Sequence, residues 1–312
     1  MHPFLCAVTQ CALSLHLAKR MEKPIDVGMN EGFRAVCVIG WPAGHSRSPL
    51  IHNYWIKRHG FTAEYRREAV PPDAFPEFVA TLQDRGYVGA NVTLPHKEAA
   101  LALSEPDDRA RAIGAANTLW LEGNRLRSTN TDVEGFVENL DAATPRWDAG
   151  LETAIVLGAG GAARAIVFAL LDRGVTRVHV VNRSFERAEA LRTRFGDRVN
   201  PARWEEMTGL LGGSHLLVNT TLLGMTGQPE LMVNLDRLPD SAVVADIVYV
   251  PLETPLLTAA KNRGLRTADG LGMLLHQAVR GFSLWFGVRP EVSAELRALV
   301  EADLKQGPAA ER

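Results

Sequence analysis

A glycine-rich turn near the middle of the chain has the residues needed to bind a pyrophosphate. Four apolar residues, 154–157, lead directly into Gly158-Ala-Gly-Gly-Ala, and an alanine-rich segment follows up to Leu171. In the spacing Gly158-x-Gly160-x-x-Ala163, the first glycine makes a tight turn and the second lets a pyrophosphate approach the backbone, while the small third residue packs helix on strand. A pyrophosphate there would also lie at the positive end of the following helix. The spacing therefore predicts a strand, a turn and a helix that bind a dinucleotide.

Two arginines after the next β-rich run indicate which dinucleotide is bound. The run 178–181 ends in Asn182-Arg183-Ser184, and Arg187 follows one helical turn later. Dinucleotide sites usually have an acidic residue there, which binds the ribose hydroxyl. A guanidinium pairs with a 2′-phosphate, whereas a carboxylate would repel it. We therefore predict NADP rather than NAD; the alternative is that both arginines are solvated charges at a helix start.

Short polar side chains follow the predicted strands of the first half of the chain. The set is Ser46, Ser48, Asn91, Thr93, Asn117 and Asp132. Ligands of open α/β sheets bind outside the carboxyl ends of the strands, where most of these residues are expected. Hydroxyl and amide groups suit a polyhydroxylated ligand, because each ligand hydroxyl needs both a donor and an acceptor. The alternative for any one of them is ordinary turn and cap chemistry.

Lys97 and Asp132 are the candidates for proton transfer. If the glycine-rich half binds a nicotinamide cofactor, the other half must supply the substrate site and a group that moves a proton. Oxidation of a secondary alcohol sends a hydride to the nicotinamide and a proton to a base. A lysine that faces a carboxylate can hold and relay that proton. The alternative is that both side chains are surface charges.

The histidines and cysteines do not predict a metal site. His45, His52 and His96 have no acidic or cysteine partner at ligand spacing. The three cysteines, Cys6, Cys11 and Cys37, have neither metal spacing nor the arrangement of a disulfide framework. We therefore predict no metal and a reducing, cytoplasmic setting.

The elements that must position these residues alternate between strand and helix, which predicts parallel sheets with crossover helices. In the first half, strands are predicted at 34–39, 62–67 and 88–92, helices after Pro49, over 71–85 and after Lys97, and a hairpin at 119–128 through Gly123-Asn124. In the second half, strands are predicted at 154–157, 178–181, 216–218 and 243–245, and helices before Gly264, over 271–286 and over 293–305. The fold class is therefore α/β.

Size and composition exclude several classes of protein. The 312 residues carry a net charge of −2, with 46% hydrophobic and 22% charged residues. This is the composition of an ordinary globular protein of about two domains. It has no electrostatic footprint for nucleic acid or a membrane surface, and no apolar run approaches the length of a membrane span. Residues 1–32 are predicted to be a loose N-terminal extension, and the tail 307–312 is predicted to be disordered.

Nine motifs, in order from about residue 34 to 290, make the chain resemble the shikimate dehydrogenase family. In the first half they are Gly40-x-Pro-x-x-His45-Ser-x-Ser48-Pro-x-x-His52-Asn, Asn91-Val-Thr93-x-Pro-x-Lys97, Gly114-Ala-x-Asn117-Thr and Asn130-Thr-Asp132. In the second half they are Gly158-Ala-Gly-Gly-Ala, Asn182-Arg-Ser184, Asn219-x-Thr-x-x-Gly-Met225, Asp246-x-Val-Tyr249-x-Pro and Gly270-x-x-Met273-x-x-x-Gln277.

The resemblance implies a role for each motif residue. The substrate set would be Ser46, Ser48 and Tyr249 at the carboxylate, Asn91, Thr93, Asn117, Asp132 and Gln277 at the ring hydroxyls, and Lys97 with Asp132 as the catalytic pair. The cofactor set would be Gly158, Ala159, Gly160, Gly161 and Ala162 at the pyrophosphate, Asn182, Arg183, Ser184 and Arg187 at the 2′-phosphate, and Thr220, Met225, Ile247, Gly270 and Met273 toward the nicotinamide.

The resemblance also implies an architecture and an activity. The fold would have an N-terminal α/β substrate domain, with a mainly parallel sheet, plus a Rossmann-like NADP-binding domain. We predict that the substrate domain is discontinuous, from 33–135 and 272–306, and that 136–271 binds NADP. The implied reaction is the NADP-dependent interconversion of 3-dehydroshikimate and shikimate, in chorismate and aromatic amino acid biosynthesis, by a monomer or homodimer.

Two other functions stay open at this point. A relative that acts on quinate is one, although such relatives often have threonine in place of Ser48. A non-catalytic NADP-binding sensor is the other, although a sensor has no use for Lys97 and Asp132.

Overall fold

The structure is a computed structural model that describes residues 33–306. The predicted N-terminal extension 1–32, with Cys6 and Cys11, and the predicted tail 307–312 lie outside the described residues. Cys37 is buried and has a free thiol, and burial raises its pKa well above the ordinary value.

The first half of the chain forms a six-stranded sheet that is mostly parallel where it meets the polar loops. Its strands are β1 (Arg34–Gly40), β2 (Ala63–Ala69), β3 (Tyr87–Val92), β4 (Glu105–Pro106), β5 (Thr118–Glu122) and β6 (Arg125–Thr129). Their order is β2-β1-β3-β5-β6-β4. The pairs β1–β2, β1–β3 and β4–β6 are parallel, while β3–β5 and the β5–β6 hairpin are antiparallel. The predicted strands and hairpin are confirmed.

The helices of this half connect the strand ends. They are α1 (Ser48–Arg58), α2 (Phe75–Ala80), α3 (Lys97–Ala102), α4 (Asp108–Ile113) and α5 (Asp132–Ala143). The predicted helix over 71–85 is wrong, because only its middle is helical. Pro76 lies in the first turn of α2, where a proline suits the start of a helix. Thr81 then donates its hydroxyl to the carbonyl of Glu77 at 2.9 Å, and the chain continues as turns to Gly86, whose φ is +82°.

The second half forms a fully parallel sheet of Rossmann type. Its strands are β7 (Thr153–Leu157), β8 (Arg177–Val181), β9 (Val199–Ala202), β10 (Leu216–Asn219), β11 (Val243–Asp246) and β12 (Arg266–Ala268), and its helices are α6 (Gly161–Asp172), α7 (Phe185–Phe195), α8 (Met207–Leu210) and α9 (Pro255–Asn262). The order β12-β11-β10-β7-β8-β9 reverses direction between β7 and β10, where such sheets bind ligands.

The last two helices, α10 (Gly270–Phe286) and α11 (Ala294–Gln306), return to the first sheet. Phe282 of α10 packs with Trp55 of α1 and with Val38 of β1 in one buried apolar cluster. The α/β fold is therefore as predicted. The predicted domain limits at 135/136 and 271/272 fall inside α5 and α10, and they stay a prediction.

The crossing of α5 and α10 depends on a glycine. A methyl group at Gly135 would lie 2.6 Å from Cβ of Gln277 and 2.8 Å from the carbonyl oxygen of Met273. Overpacking of this kind costs about 1–3 kcal/mol. We expect Gly135→Ala to lower the free energy of unfolding by about that amount, measured by urea denaturation.

The matched control is Gly209→Ala in α8, where an added methyl group meets nothing within 4 Å. Alanine is the better helix former, so this variant should be neutral or stabilised by up to about 1 kcal/mol. Equal stability of both variants would contradict close packing at the α5–α10 crossing.

Candidate active site

Strand ends and helix starts of the first half bring the predicted polar residues to one edge of the sheet. Ser46 lies in the loop after β1, and Ser48 begins α1. Asn91 lies at the end of β3 and Lys97 begins α3. Asp132 begins α5, directly after the hairpin. This is the carboxyl edge of the parallel strands β1 and β3, as predicted for a ligand site.

Lys97 and Asp132 form a largely buried ion pair at this edge. The Lys97 Nζ donates to Asp132 Oδ2 at 2.6 Å, and the side chains are 15% and 9% exposed. Asn117 Nδ2 donates to the other carboxylate oxygen at 2.8 Å. Both oxygens of Asp132 therefore have a donor, which fixes the orientation of the carboxylate. The ammonium of Lys97 has three N–H donors. Among residues 33–306, only the donor that is bonded to Asp132 has a partner.

A chain of hydrogen bonds continues from this pair toward the loop that carries the two serines. Thr118 donates its hydroxyl to Asn117 Oδ1 at 3.1 Å, and Asn91 Nδ2 donates to Thr118 Oγ1 at 3.0 Å. The Tyr65 hydroxyl donates to Asn91 Oδ1 at 2.7 Å. These groups are all buried. Buried polar groups with every partner in place hold a fixed geometry, so the amides of Asn91 and Asn117 are pre-oriented.

The loop with the two serines lies at the far end of this chain. The Ser48 amide donates to Ser46 Oγ at 3.3 Å, and the Ser46 carbonyl accepts two bonds from Arg67 at 2.8 and 3.1 Å. Tyr249 is half-buried, and burial raises its pKa while the charge of Arg47 opposes the rise. The loop therefore has two serine hydroxyl groups beside the guanidinium of Arg67, which suits an anion.

Thr93 and Gln277 have different surroundings. Thr93 is half-buried after β3, and its Cγ2 lies 2.5 Å from the position that a Cβ on Gly40 would take, so this close approach requires glycine. Gln277 is 9% exposed on α10 and donates to the carbonyl of Leu274 at 3.0 Å. The structure thus gives Gln277 a partner within its own helix.

The glycine-rich turn has the shape of a pyrophosphate cradle. Gly158 has φ of +105°, and a Cβ there would lie 2.7 Å from Thr220 Oγ1, which itself donates to the Leu157 carbonyl at 2.6 Å. A Cβ on Gly160 would meet nothing within 4 Å, so the space above the α6 N-terminus is open. Within the described residues, no side chain caps that end of the helix. Open space in front of uncapped backbone N–H groups fits a phosphate.

The remaining residues predicted for the pyrophosphate lie around that space. Ala159 is buried, while Gly161 and Ala162 are half-buried. A Cβ on Gly161 would lie 3.6 Å from Cδ of Lys97. The start of the cofactor helix therefore lies beside the candidate proton-transfer residue.

Arg183 and Arg187, the residues predicted for the 2′-phosphate, lie just before α7 and in its first turn. Both are exposed at the start of α7, and neither guanidinium has a hydrogen-bond or ion-pair partner within residues 33–306. Ser184 is exposed, and Asn182 Nδ2 donates to the Ser184 carbonyl at 2.8 Å. Two cations without partners beside an open turn fit the phosphate group of NADP.

The residues predicted to face the nicotinamide come from the loops after β10 and β11 and from the start of α10. A Cβ on Gly270 would lie 2.3 Å from the Ile247 carbonyl oxygen, so α10 begins in direct contact with the loop after β11. Met273 is buried one turn later, and Met225 is half-buried in the loop after β10.

Asp246 joins two of these loops. It is 1% exposed, and its Oδ1 accepts from Asn219 Nδ2 at 2.9 Å and from the Val248 amide at 3.0 Å. Its Oδ2 accepts from the Thr254 hydroxyl at 2.8 Å. Asn219 Oδ1 in turn accepts from the Thr221 amide at 3.0 Å. One buried carboxylate therefore connects the end of β10 to the loop after β11.

Asp246 also predicts a pH dependence of stability. Burial raises its pKa from 3.8 to about 6, although three hydrogen bonds oppose the rise. A raised carboxyl pKa gives stability that is present below the unfolded value and lost as the pH rises through the folded one. We expect the unfolding free energy of the wild type, minus that of Asp246→Asn, to fall between about pH 4 and pH 6 and to level off above about pH 7. Urea denaturation across this range measures it, and a difference that rises with pH would contradict the assignment.

Contacts across the junction between the two sheets involve an arginine of the cofactor helix. Arg164 of α6 pairs with Glu98 of α3 at 2.8 Å and donates to the carbonyl of Gly114 at 3.3 Å. Glu98 is the residue after Lys97, so this contact ties the helix that carries Lys97 to the glycine-rich turn.

The three histidines of the first half lie apart. His45 is exposed, His52 stacks on Tyr65 in an aromatic cluster, and His96 stacks on Phe75 and bonds to the Val70 carbonyl at 2.7 Å. Burial lowers the pKa of His52 to about 3. Among residues 33–306, no three His, Cys, Asp or Glu side chains are grouped to hold a metal ion. In the same part of the chain no helix is long and apolar enough to cross a membrane.

The sequence reasoning missed Tyr65, Arg67 and Asp246 as residues that shape the site. The sequence pattern predicts Tyr65 and Arg67 only as residues of a strand. Because side chains alternate between the two faces of a strand, Tyr65 and Arg67 lie on the same face of β2, and this pattern links them to one another. Asp246 belongs to a recognised motif, but a carboxylate at the end of an apolar parallel strand could also have been noted as a buried acid in need of donors.

Three family profiles match consecutive parts of the chain. They are described as the shikimate dehydrogenase substrate binding domain over residues 38–119, shikimate / quinate 5-dehydrogenase over 143–253, and the shikimate 5'-dehydrogenase C-terminal domain over 270–299. The chain is also 67% identical over 271 residues to a shikimate dehydrogenase (NADP(+)) of Rhodopseudomonas palustris strain TIE-1, with 87% of this chain and 97% of the relative covered.

Solved structures resemble the whole described fold. A shikimate 5-dehydrogenase from Thermus thermophilus, in complex with NADP(H) and shikimate, is 35% identical with a TM-score of 0.75, and 88% of this chain and 99% of that chain are covered. A quinate dehydrogenase from Corynebacterium glutamicum, in complex with NAD, is 30% identical with a TM-score of 0.79, and 87% of this chain and 100% of that chain are covered.

Proposed function

The chain belongs to the shikimate dehydrogenase family, and from that premise we propose that it is an NADP-dependent oxidoreductase that interconverts 3-dehydroshikimate and shikimate. The observation that supports the reaction most directly is the Lys97–Asp132 pair, with its 2.6 Å contact beside the N-terminus of the cofactor helix. The polar edge of the first sheet and the open turn of the second would then hold the two reactants on either side of one proton-transfer group.

The residues present fit NADP. The open space at Gly160 would take the pyrophosphate, and Arg183 and Arg187, which have no partner among residues 33–306, would take the 2′-phosphate. When bound, NADP supplies or accepts the hydride. Asp246 would hold the two loops around the nicotinamide.

Lys97 moves the proton in the proposed mechanism. In the reducing direction its ammonium donates a proton to the oxygen of the substrate carbonyl, and the neutral amine then regains a proton from solvent. In the oxidising direction the neutral amine takes the hydroxyl proton. Asp132 orients Lys97 through the ion pair and accepts a hydrogen bond from a substrate hydroxyl.

The other polar residues hold the substrate. Asn91 and Asn117 are pre-oriented by the buried hydrogen-bond chain, so they reach the ring hydroxyls without the cost of ordering. Thr93 and Gln277 would bind ring hydroxyls. Ser46, Ser48 and Tyr249 bind the carboxylate.

One assay tests the proposed reaction. Nicotinamide absorbance is followed after addition of shikimate or quinate, each with NADP and with NAD. We expect the highest kcat/KM for shikimate with NADP. Absence of turnover with either acid, while NADP still binds, would favour a sensor over an enzyme.

Quinate is the second candidate substrate. The similar quinate dehydrogenase of Corynebacterium glutamicum favours including it in the assay. Ser48 favours shikimate, since relatives that accept quinate often have threonine there. We also propose that the protein is cytoplasmic. We propose in addition that it is a monomer or a homodimer, and size-exclusion chromatography with light scattering tests this oligomeric state.

A further inference from the structure

We propose that Arg67 positions the carboxylate end of the substrate. It would do so by holding the loop that carries Ser46 and Ser48, and by supplying the unneutralised positive charge at that end of the site. The proposal rests on the proposed function, because it assumes that the substrate carries a carboxylate bound by the two serines.

Arg67 holds the loop directly. It lies on β2, at the edge of the first sheet, two residues beyond Tyr65 and on the same face. Its Nε and Nη2 donate to the Ser46 carbonyl at 3.1 and 2.8 Å. Two bonds from one planar guanidinium fix both the position and the orientation of that carbonyl. The Ser46 hydroxyl, on the same residue, is thereby held in place.

The charges around the loop leave Arg67 as the cation without an acidic partner. Arg47 Nε lies 2.5 Å from Asp303 Oδ2, and Lys97 is paired with Asp132. Within residues 33–306 no carboxylate lies in ion-pair distance of Arg67. The substrate site, counted over these side chains, therefore has one surplus positive charge, which matches a ligand with one carboxylate.

Arg47 is the competing candidate, since it stands between the two serines in sequence. Its Nη1 donates to the His45 carbonyl at 3.2 Å, its Nε lies against Asp303, and it is only 9% exposed. Its charge is therefore already neutralised beneath the loop. Arg67 is exposed, so its guanidinium is open to solvent while it is bonded to the loop.

Tyr65 connects the strand of Arg67 to the rest of the polar edge. It lies two residues before Arg67, on the same face of β2, and its hydroxyl donates to Asn91 Oδ1 at 2.7 Å. The same face of β2 is therefore bonded both to the amide of Asn91 and to the loop of the two serines. Burial raises the pKa of the Tyr65 hydroxyl well above its ordinary value, and the charge of Arg67 opposes the rise.

The test compares a charged and an uncharged form of one substrate. Shikimate and its methyl ester are assayed as substrate and as competitive inhibitor, respectively, at low and high salt, with wild type, Arg67→Met and Arg67→Lys. Arg66→Met is the matched control, because Arg66 is the neighbouring exposed arginine, on the opposite face of β2, where it pairs with Glu64 at 2.8 Å. A loop support without an electrostatic role would affect acid and ester equally.

We expect Arg67→Met to raise the KM for shikimate about tenfold, within the range for a charge-assisted contact that is partly screened by solvent. The inhibition constant of the ester should rise clearly less than the KM for shikimate, because the ester loses only the support of the loop, and kcat should stay close to that of the wild type. The KM of the wild type should rise with salt and that of Arg67→Met should rise less. Arg67→Lys should keep the preference for the acid, and Arg66→Met should match the wild type.

Equal weakening of acid and ester would overturn the electrostatic role, and unchanged values for both would overturn the proposal entirely. A wild type that does not oxidise shikimate would overturn the proposed function, and the proposal with it. A wild type that oxidises shikimate with an unaffected Arg67→Met would overturn only the role of Arg67.

Discussion

Lys97→Ala should lower kcat for shikimate by about 10²–10⁴-fold, the usual loss when a positioned proton-transfer group is removed. The reason is the place of Lys97, whose ammonium pairs with Asp132 at 2.6 Å and whose side chain passes beside Gly161 of the cofactor helix. The KM for shikimate should change far less, since Asn91 and Asn117 are held by their own hydrogen bonds. Steady-state kinetics measures both constants.

The control for this variant must separate chemistry from folding. Loss of Lys97 leaves a buried carboxylate without its cation, which can destabilise the fold. NADP binding, followed by fluorescence, should stay normal because the cofactor set lies on the second sheet. Lys261→Ala, which removes an exposed lysine paired with Glu253 at 2.8 Å, should leave kcat unchanged. Near wild-type kcat with a raised KM in Lys97→Ala would mean that the lysine only binds substrate.

The variant Asp132→Asn tests the role of Asp132 separately from that of Lys97. Its kcat should fall, because Lys97 loses its charged partner, and its KM should also rise, because a carboxylate acceptor for the substrate is lost. A change in kcat alone would show that Asp132 orients Lys97 without touching the substrate.

The strands were predictable because parallel strands buried on both faces read as apolar runs. Residues 154–157 and 216–218 are such runs, and all are buried in β7 and β10. The helix predicted over 71–85 failed for a local reason, since Pro76 suits its start and the hydroxyl of Thr81 shares the Glu77 carbonyl with the backbone N–H of the same residue.

The contacts within the site were not predictable from the sequence, because they join residues that are distant along the chain. Tyr65 bonds to Asn91, 26 residues later, and Arg67 to the carbonyl of Ser46, 21 residues earlier. The separation of Lys97 and Asp132 is 35 residues. Residue type and motif identified Lys97 and Asp132, but only the order of β1, β2, β3 and β5 determines which side chains meet.

The contact between the two halves of the chain was also not predictable from the sequence. Arg164 continues the glycine motif and reads as an ordinary exposed helix residue. Its bond to Glu98 exists only because α6 starts beside α3. That placement depends on both sheets at once, so no local pattern reports it.

Cofactor choice should depend on Arg183. In Arg183→Ala the charge-assisted bonds to the 2′-phosphate are lost, about 1.5–3 kcal/mol, so the KM for NADP should rise roughly ten- to a hundredfold. The guanidinium is exposed and has no ion-pair partner among residues 33–306, so its removal should not disturb the fold. The kinetics with NAD, which lacks the phosphate, should hardly change.

The ratio of the KM for NADP to the KM for NAD therefore separates recognition of the 2′-phosphate from a structural role of Arg183. Arg192→Ala is the matched control, because Arg192 lies on the same helix α7 but pairs with Asp197 at 3.2 Å, near the opposite end. It should leave both KM values unchanged. Arg187→Ala should weaken NADP in the same direction as Arg183→Ala, since both arginines stand at the start of α7 and neither has another partner within the described residues. Equal losses for NADP and NAD in Arg183→Ala would mean that the arginine supports the loop after β8, and that discrimination between the cofactors arises elsewhere.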